Sequence, residues 1–167
     1  MGRKDRGGSV GTPATAALTR AKISYAVRAY EHDPAAESFG LEAAQALGVE
    51  PSRVFKTLLV DTGEGLAVGV VPVDGTLDLK AIASALGVKR VGMADPAAAE
   101  RSSGYVVGGI SPIGQKRPLR TVVDESATAH ERVLVSGGRR GLDLELTPAD
   151  LVRVTHATLA PIARQDP

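Results

Sequence analysis

One lysine interrupts an otherwise apolar segment of this chain. Lys56 lies inside the run from residue 54 to residue 60, whose other members are apolar apart from Thr57. A buried ammonium group without a partner is costly, so Lys56 must reach water, a counter-charge or a ligand. In a cleft, such a cation can hold a carbonyl or phosphate oxygen as negative charge develops on it. The alternative is a gatekeeper lysine that protects an edge strand from aggregation, and position alone favours neither interpretation.

Two glycine-rich segments could complete a site around such a cation. Gly108 and Gly109 let the backbone approach a ligand closely and can present N–H groups to an oxyanion. The second segment, Ser136–Asp143, carries Arg139 and Arg140, whose guanidinium groups can bind phosphates. Either segment taken alone is equally compatible with a plain connecting turn.

The basic residues are relevant to a polyanionic partner only as local clusters. The net charge is +1, which is too small to attract nucleic acid through a bulk field. Two clusters, Lys116-Arg117 and Arg139-Arg140, are therefore the predicted contacts to a nucleic-acid backbone. The alternative for each pair is a solvated surface loop.

Several familiar chemistries are excluded by residue type and spacing. There is no cysteine, which excludes thiolate nucleophiles, disulfides and cysteine metal sites. None of the three histidines has the spacing of a zinc peptidase, and the G-x-G-x-x-G motif is absent. The one G-x-S-x-G match, at residues 7–11, lies in the Gly-rich N-terminal segment and follows no predicted strand, so it does not indicate the nucleophile elbow of a serine hydrolase. The sequence therefore predicts neither metal nor cofactor. It also contains no apolar stretch of membrane-spanning length, and we expect a soluble, cytoplasmic protein.

Local signals predict the elements that must position these residues. Residues 1–11 are Gly-rich and charged, which predicts a flexible tail before one domain at residues 12–167. Capping residues and terminal glycines indicate five helices, and apolar runs indicate six or seven strands, with a hairpin at 54–61 and 66–73 as the clearest pair. This irregular alternation favours an α+β (mixed α/β) fold, with a mixed sheet that curls towards a barrel and helices around it.

Seven segments, in this order and spacing, closely resemble the YbaK/EbsC family of Cys-tRNA(Pro) deacylases. That family is related to the editing domain inserted in bacterial prolyl-tRNA synthetases. The resemblance covers about residues 12–164, and the long glycine segment is its most specific part. The segments that carry it are Thr12–Ala14, Tyr30–Pro34, Val54–Val60, Leu77–Lys80, Met93–Pro96, Gly104–Gln115 and Val135–Asp143.

The resemblance implies a function and a set of site residues. It implies that the chain hydrolyses mischarged Cys-tRNA(Pro), and also Cys-tRNA(Cys), with Lys56 as the residue whose loss abolishes activity. In the family mechanism, the thiol of the bound cysteine attacks its own ester, so no protein nucleophile or metal is needed, and a lyase-type classification is an alternative to hydrolase. The predicted substrate-binding residues are Tyr30, Phe39, Thr57, Gly108, Gly109, Ser136 and Asp143.

Two other functions stay open at this point. The first keeps the chemistry and replaces cysteine by alanine, so that the substrate is Ala-tRNA(Pro). The second is a binding module that holds tRNA or a synthetase without turnover, although such a module has no evident need for Lys56. The predicted partners are the aminoacylated 3′ end of tRNA and prolyl-tRNA synthetase.

Overall fold

The computed structural model of the chain describes residues 11–36 and 38–165. The predicted N-terminal tail lies outside this part except for Gly11, and so do the last two residues of the predicted domain. Within the described residues, no helix is long and apolar enough to cross a membrane.

Five helices form where the capping signals predict them. Each begins directly after a side chain that accepts a hydrogen bond from a backbone N–H in the first turn, and glycines in the left-handed conformation end the second, third and fourth helices. The helices are α1 (Pro13–Arg20), α2 (Phe39–Leu47), α3 (Leu79–Leu86), α4 (Pro96–Ser103) and α5 (Pro148–Thr155).

The strands of the described residues form three sheets, which confirms the mixed α+β class. The first has the order β1-β8-β7, the second pairs β10 with β4, and the third has the order β5-β2-β3-β6-β9. The strands are β1 (Ala26–Ala29), β2 (Phe55–Asp61), β3 (Leu66–Pro72), β4 (Gly75–Leu77), β5 (Gly92–Met93), β6 (Thr121–Asp124), β7 (Val133–Arg139), β8 (Leu142–Leu146), β9 (Thr158–Ala160) and β10 (Ala163–Gln165).

The predicted strand count of six or seven is too low, since the described residues contain ten strands. Strands β4, β9 and β10 were not predicted from the sequence. Each has only three residues, which is too short for the alternation of apolar and polar side chains to become visible. These strands exist because distant partners pair with them: β10 with β4, and β9 with β6.

The predicted hairpin is present and it sets the position of Lys56. Strands β2 and β3 pair in antiparallel register, with Lys56 opposite Val71. Phe55 and Leu59 project into the main core, where residues of β7, β8 and α1 also pack. An isolated parallel bridge between Val54 and Leu134 connects the start of β2 to the three-stranded sheet. The segment that carries Lys56 is therefore held from both sides.

Candidate active site

A cavity of about 420 Å³ lies where β2, the start of α2, the start of α4 and the glycine segment approach β7 and β8. This volume is within the usual range for small-molecule sites. Seven of the residues predicted from the sequence line it together, although they come from distant parts of the chain. They are Tyr30, Phe39, Lys56, Thr57, Gly108, Ser136 and Asp143.

Lys56 supplies an uncompensated positive charge to this cavity. Its side chain is half-buried and lines the wall. Among the described residues, none forms an ion pair or a hydrogen bond with its ammonium group. The side chain thus lines a cavity, whereas a gatekeeper lysine points into bulk solvent from a sheet edge. The position favours the interpretation that Lys56 holds a ligand.

Asp143 supplies a carboxyl group that is almost fully buried in the same cavity. It lies on β8, directly opposite Ser136 on β7 and Arg28 on β1. Its exposed fraction is 6%, and no described residue forms a hydrogen bond with its carboxylate. Burial raises the pKa of Asp143 from 3.8 to about 7, and the positive charge of Arg28 opposes this rise.

Arg28 compensates the charge of Asp143 only in part, because its guanidinium group binds another carboxylate. Its Nη1 atom lies 2.8 Å from Oε1 of Glu145, and Arg53 Nη2 lies 2.7 Å from the other oxygen of the same group. Desolvation pushes the pKa of Glu145 upwards, but the hydrogen bonds from the two arginines outweigh it and hold this pKa below its ordinary value. Of the two acids on β8, Glu145 is paired with arginines, and Asp143 is consequently the one that can bind a ligand.

Three hydroxyl groups complete the polar part of the cavity. Burial, together with the nearby charge of Asp143, raises the pKa of Tyr30 to about 12, so its hydroxyl keeps its proton and can donate it to a hydrogen bond. The Ser136 hydroxyl accepts from the N–H of Gly138 at 3.1 Å, which leaves its own hydrogen available. The buried Oγ1 of Thr57 has no partner within the described part of the chain. Unpaired buried polar atoms are rare in proteins and often mark a ligand site.

A contact between Arg140 and Phe39 closes one wall. The Arg140 guanidinium lies 4.9 Å from the centre of the Phe39 ring and donates to the carbonyl of Val107 from Nε at 3.0 Å and from Nη2 at 2.6 Å. Gly108 follows with a positive φ of 91°, and a Cβ there would lie 2.5 Å from Arg140 Nε. Only glycine fits at this point, which gives the physical reason for its place in the motif.

The remaining predicted residues lie outside the cavity wall. Gly109 packs against the backbone of Arg139, whose Cα would be 2.7 Å from an added Cβ. Lys116 and Arg117 follow the glycine segment, and their backbone N–H groups donate to carbonyls at the end of α4. The side chains of Lys116, Arg117 and Arg139 are exposed. Their contact with a nucleic-acid backbone remains a prediction, and so does the substrate contact of Gly109.

Sequence reasoning missed the apolar wall opposite the charged groups. Its side chains carry no chemical signature that separates them from ordinary core residues, and only their position in the fold reveals them. The wall residues not predicted from the sequence include Ala43, Met93, Ala94, Ala99, Val107 and Ile110. Among the described residues, no group of three or more His, Asp or Glu side chains could hold a metal ion.

Comparison with known proteins identifies the family. Residues 33–154 match the family model described as the aminoacyl-tRNA editing domain. The chain belongs to this family. It is also 39% identical, over 74% of its length and 76% of the relative, to an Enterococcus faecalis protein, EbsC, that is named as a Cys-tRNA(Pro)/Cys-tRNA(Cys) deacylase. The family resemblance predicted from the sequence is confirmed.

Two solved structures share the fold of this chain. A hypothetical protein is 27% identical with a TM-score of 0.82, and the match covers 92% of this chain and 100% of that one. A protein described as a trans-editing enzyme for prolyl-tRNA synthetase is 24% identical with a TM-score of 0.80, over 96% and 99% of the two chains. This second likeness supports the editing-domain fold.

Proposed function

We propose that this chain is a trans-editing deacylase that hydrolyses the ester of mischarged Cys-tRNA(Pro), and also that of Cys-tRNA(Cys). The observation that carries the proposal is that one cavity is lined by a cation, Lys56, and by a buried acid, Asp143, neither of which has a hydrogen-bond or ion-pair partner among the described residues. An aminoacyl ester has the complementary pair of groups, a carbonyl oxygen that becomes negative during attack and an α-ammonium group.

Asp143 is the group suited to the α-ammonium of the amino acid. A buried carboxylate with a pKa of about 7 is destabilised in its charged form, and a bound cation relieves this cost. The Tyr30 and Ser136 hydroxyls line the same end of the cavity and can add hydrogen bonds. Binding of the ammonium then fixes the direction in which the ester carbonyl points.

Lys56 is suited to the carbonyl oxygen of the ester. When the substrate thiol attacks the carbonyl carbon, negative charge moves to this oxygen, and a preorganised cation stabilises it. As the C–S bond forms, the C–O bond of the ester breaks, and the proton of the thiol leaves with the ribose oxygen. Water then opens the resulting thiolactone and releases free cysteine. Lys56 therefore positions the ester and stabilises charge, while the substrate supplies the nucleophile.

The apolar wall is suited to a small side chain such as that of cysteine. A volume of about 420 Å³ exceeds that of one amino acid, so the cavity can also admit the terminal ribose of the tRNA. Holding the thiol and the ester carbonyl in contact turns the attack into an intramolecular step, which is worth several orders of magnitude in rate.

We infer that tRNA identity is read largely by a partner, prolyl-tRNA synthetase. The net charge of +1 gives little general attraction for tRNA, and the basic pairs at 116–117 and 139–140 are short. Arg140, moreover, is already bonded to Val107 and stacked on Phe39. These pairs would orient the acceptor end and leave the choice of tRNA to the synthetase.

One assay tests the function. The purified protein is mixed with tRNA(Pro) charged with cysteine, alanine, proline or α-aminobutyrate, which replaces the thiol by a methyl group, and ester loss is followed. We expect loss of the cysteinyl ester alone, and a decrease of about 100-fold or more in Lys56→Ala. Lys22→Asn, which removes an exposed lysine outside the cavity, should behave like the wild type.

The outcomes separate the alternatives. Cleavage of alanyl-tRNA(Pro) at a comparable rate would move the specificity to alanine, and cleavage of the aminobutyryl ester would exclude the thiol as nucleophile. A gel shift of tRNA with every ester intact would indicate a binding module. If the cysteinyl ester of tRNA(Pro) is equally stable in the presence of the wild type and of Lys56→Ala, the proposed function is refuted.

A further inference from the structure

A second cavity of about 550 Å³ adjoins the first. Leu58 and Met93 belong to both walls, so the two cavities meet at these side chains. Leu58 follows Lys56 by two positions on β2 and thus lies on the same face, about 7 Å further along the strand. A single nucleotide can cover that distance.

The lining of the second cavity combines an apolar floor with a charged rim. The floor is formed by Leu58, Leu77, Leu79 and Met93, and the rim carries Asp78, Lys80 and Arg164. Met93 is 52% exposed, so its side chain offers apolar surface where the two cavities meet. An apolar surface next to cations fits a nucleotide, whose base packs against the aliphatic side chains while its phosphate is neutralised.

The two cations of the rim can receive a phosphate. Lys80 is exposed, and within the described ranges no group pairs with its ammonium. Arg164 Nε lies 3.9 Å from Oδ2 of Asp78, a distant contact between side chains that are 67% and 32% exposed. The other oxygen of Asp78 accepts the N–H of Ala81 and caps α3. Asp78 is thereby occupied, and the terminal guanidinium nitrogens of Arg164 stay available.

We propose that this second cavity holds the nucleotide preceding the terminal adenosine of the substrate tRNA, with Lys80 and Arg164 at its phosphate. The proposal rests on the proposed function, which places the aminoacyl ester beside Lys56. From there the single strand must leave the first cavity, and the boundary at Leu58 and Met93 offers a continuous path. The second cavity would therefore recognise the length of the single strand and the charge of its backbone. The first cavity would recognise the amino acid.

The test compares a long and a short substrate. Cleavage of Cys-tRNA(Pro) and of cysteinyl-adenosine, which lacks the preceding nucleotide, is measured for wild type and for Lys80→Ala/Arg164→Ala. The matched control is Arg20→Ala/Lys22→Asn, which also removes two exposed positive charges but none from either cavity. Binding of a fluorescent CCA trinucleotide and of adenosine gives a second readout that needs no turnover.

We expect the Lys80/Arg164 variant to lose about 10-fold in kcat/KM with the tRNA. The salt dependence of its CCA binding should flatten by about 0.7 in logarithmic slope, which corresponds to one single-strand phosphate contact. Its activity on cysteinyl-adenosine should equal that of wild type. Unchanged tRNA cleavage and CCA binding, or equal losses on both substrates, would overturn the proposal.

The two proposals fail in different ways. If wild type cleaves neither ester, the proposed function is wrong, and CCA binding still decides whether the second cavity takes a nucleotide. If wild type cleaves both esters and the Lys80/Arg164 variant matches it throughout, only the nucleotide path is wrong.

Discussion

Asp143→Asn should make the protein more stable at alkaline pH, although it removes a polar group of the site. Burial raises the pKa of Asp143 from 3.8 to about 7 in the folded protein. The folded state therefore holds a proton that the unfolded chain has released, and stability falls as the pH rises between these two values. A difference of about 3 units at about 1.36 kcal/mol per unit corresponds to a cost of about 4 kcal/mol at most, fully present above about pH 7 and absent below about pH 4.

Denaturant unfolding measures this effect. The free energies of unfolding of wild type and Asp143→Asn are compared at about pH 4, 6 and 8, and the difference should grow in favour of the variant by up to about 4 kcal/mol. Glu64→Gln, at an exposed turn, is the control and should show no such trend. If the difference in the free energy of unfolding stays constant over this pH range, the inference that Asp143 is buried and unpaired in the folded protein is refuted.

The same substitution should impair substrate binding. Asparagine cannot neutralise the α-ammonium of the amino acid, and loss of a charged hydrogen bond costs about 1.5–3 kcal/mol, or about 10- to 100-fold in kcat/KM. We expect the loss mainly in KM, since Asp143 orients the substrate and Lys56 meets the developing charge. An unchanged kcat/KM in the stabilised variant would remove Asp143 from ammonium recognition.

Three further substitutions test how the walls are built. Arg140→Ala should raise KM by about 2- to 5-fold, because it removes a cation–π contact of about 0.5–1 kcal/mol from the cavity wall, and a KM equal to that of wild type would contradict this. Gly40→Ala should lower the free energy of unfolding by about 1–3 kcal/mol, since the new Cβ would lie 2.3 Å from Val73 Cγ1. Gly92→Ala is the control, because its new Cβ would meet no atom within 4 Å, and it should leave the free energy of unfolding unchanged. Leu144→Ala, at a fully buried core position, should lower the free energy of unfolding by about 2–5 kcal/mol in the same denaturant measurement. A much smaller loss would mean that the surrounding core residues fill the space left by the leucine side chain.

The sequence by itself determined the elements that depend on neighbouring residues. Thr12 and Thr147 begin helices, and Gly48 and Gly87 end them, because capping and left-handed backbone are decided within a few residues. It also singled out Lys56, since a charge inside an apolar strand stands out without any knowledge of the fold. The spacing of the glycine segments then added the family and with it the set of site residues.

Only the tertiary structure decided which of those groups are left without a partner. Asp143 and Glu145 are both acidic positions of one strand, yet arginines from two other elements meet Glu145 and leave Asp143 buried with a raised pKa. Arg140 looked equally free to bind phosphate, but it is held by the carbonyl of Val107. Lys56 remains unpaired because no described residue forms an ion pair or a hydrogen bond with its ammonium group. Charge compensation depends on side chains that are distant along the chain, and residue spacing cannot predict it.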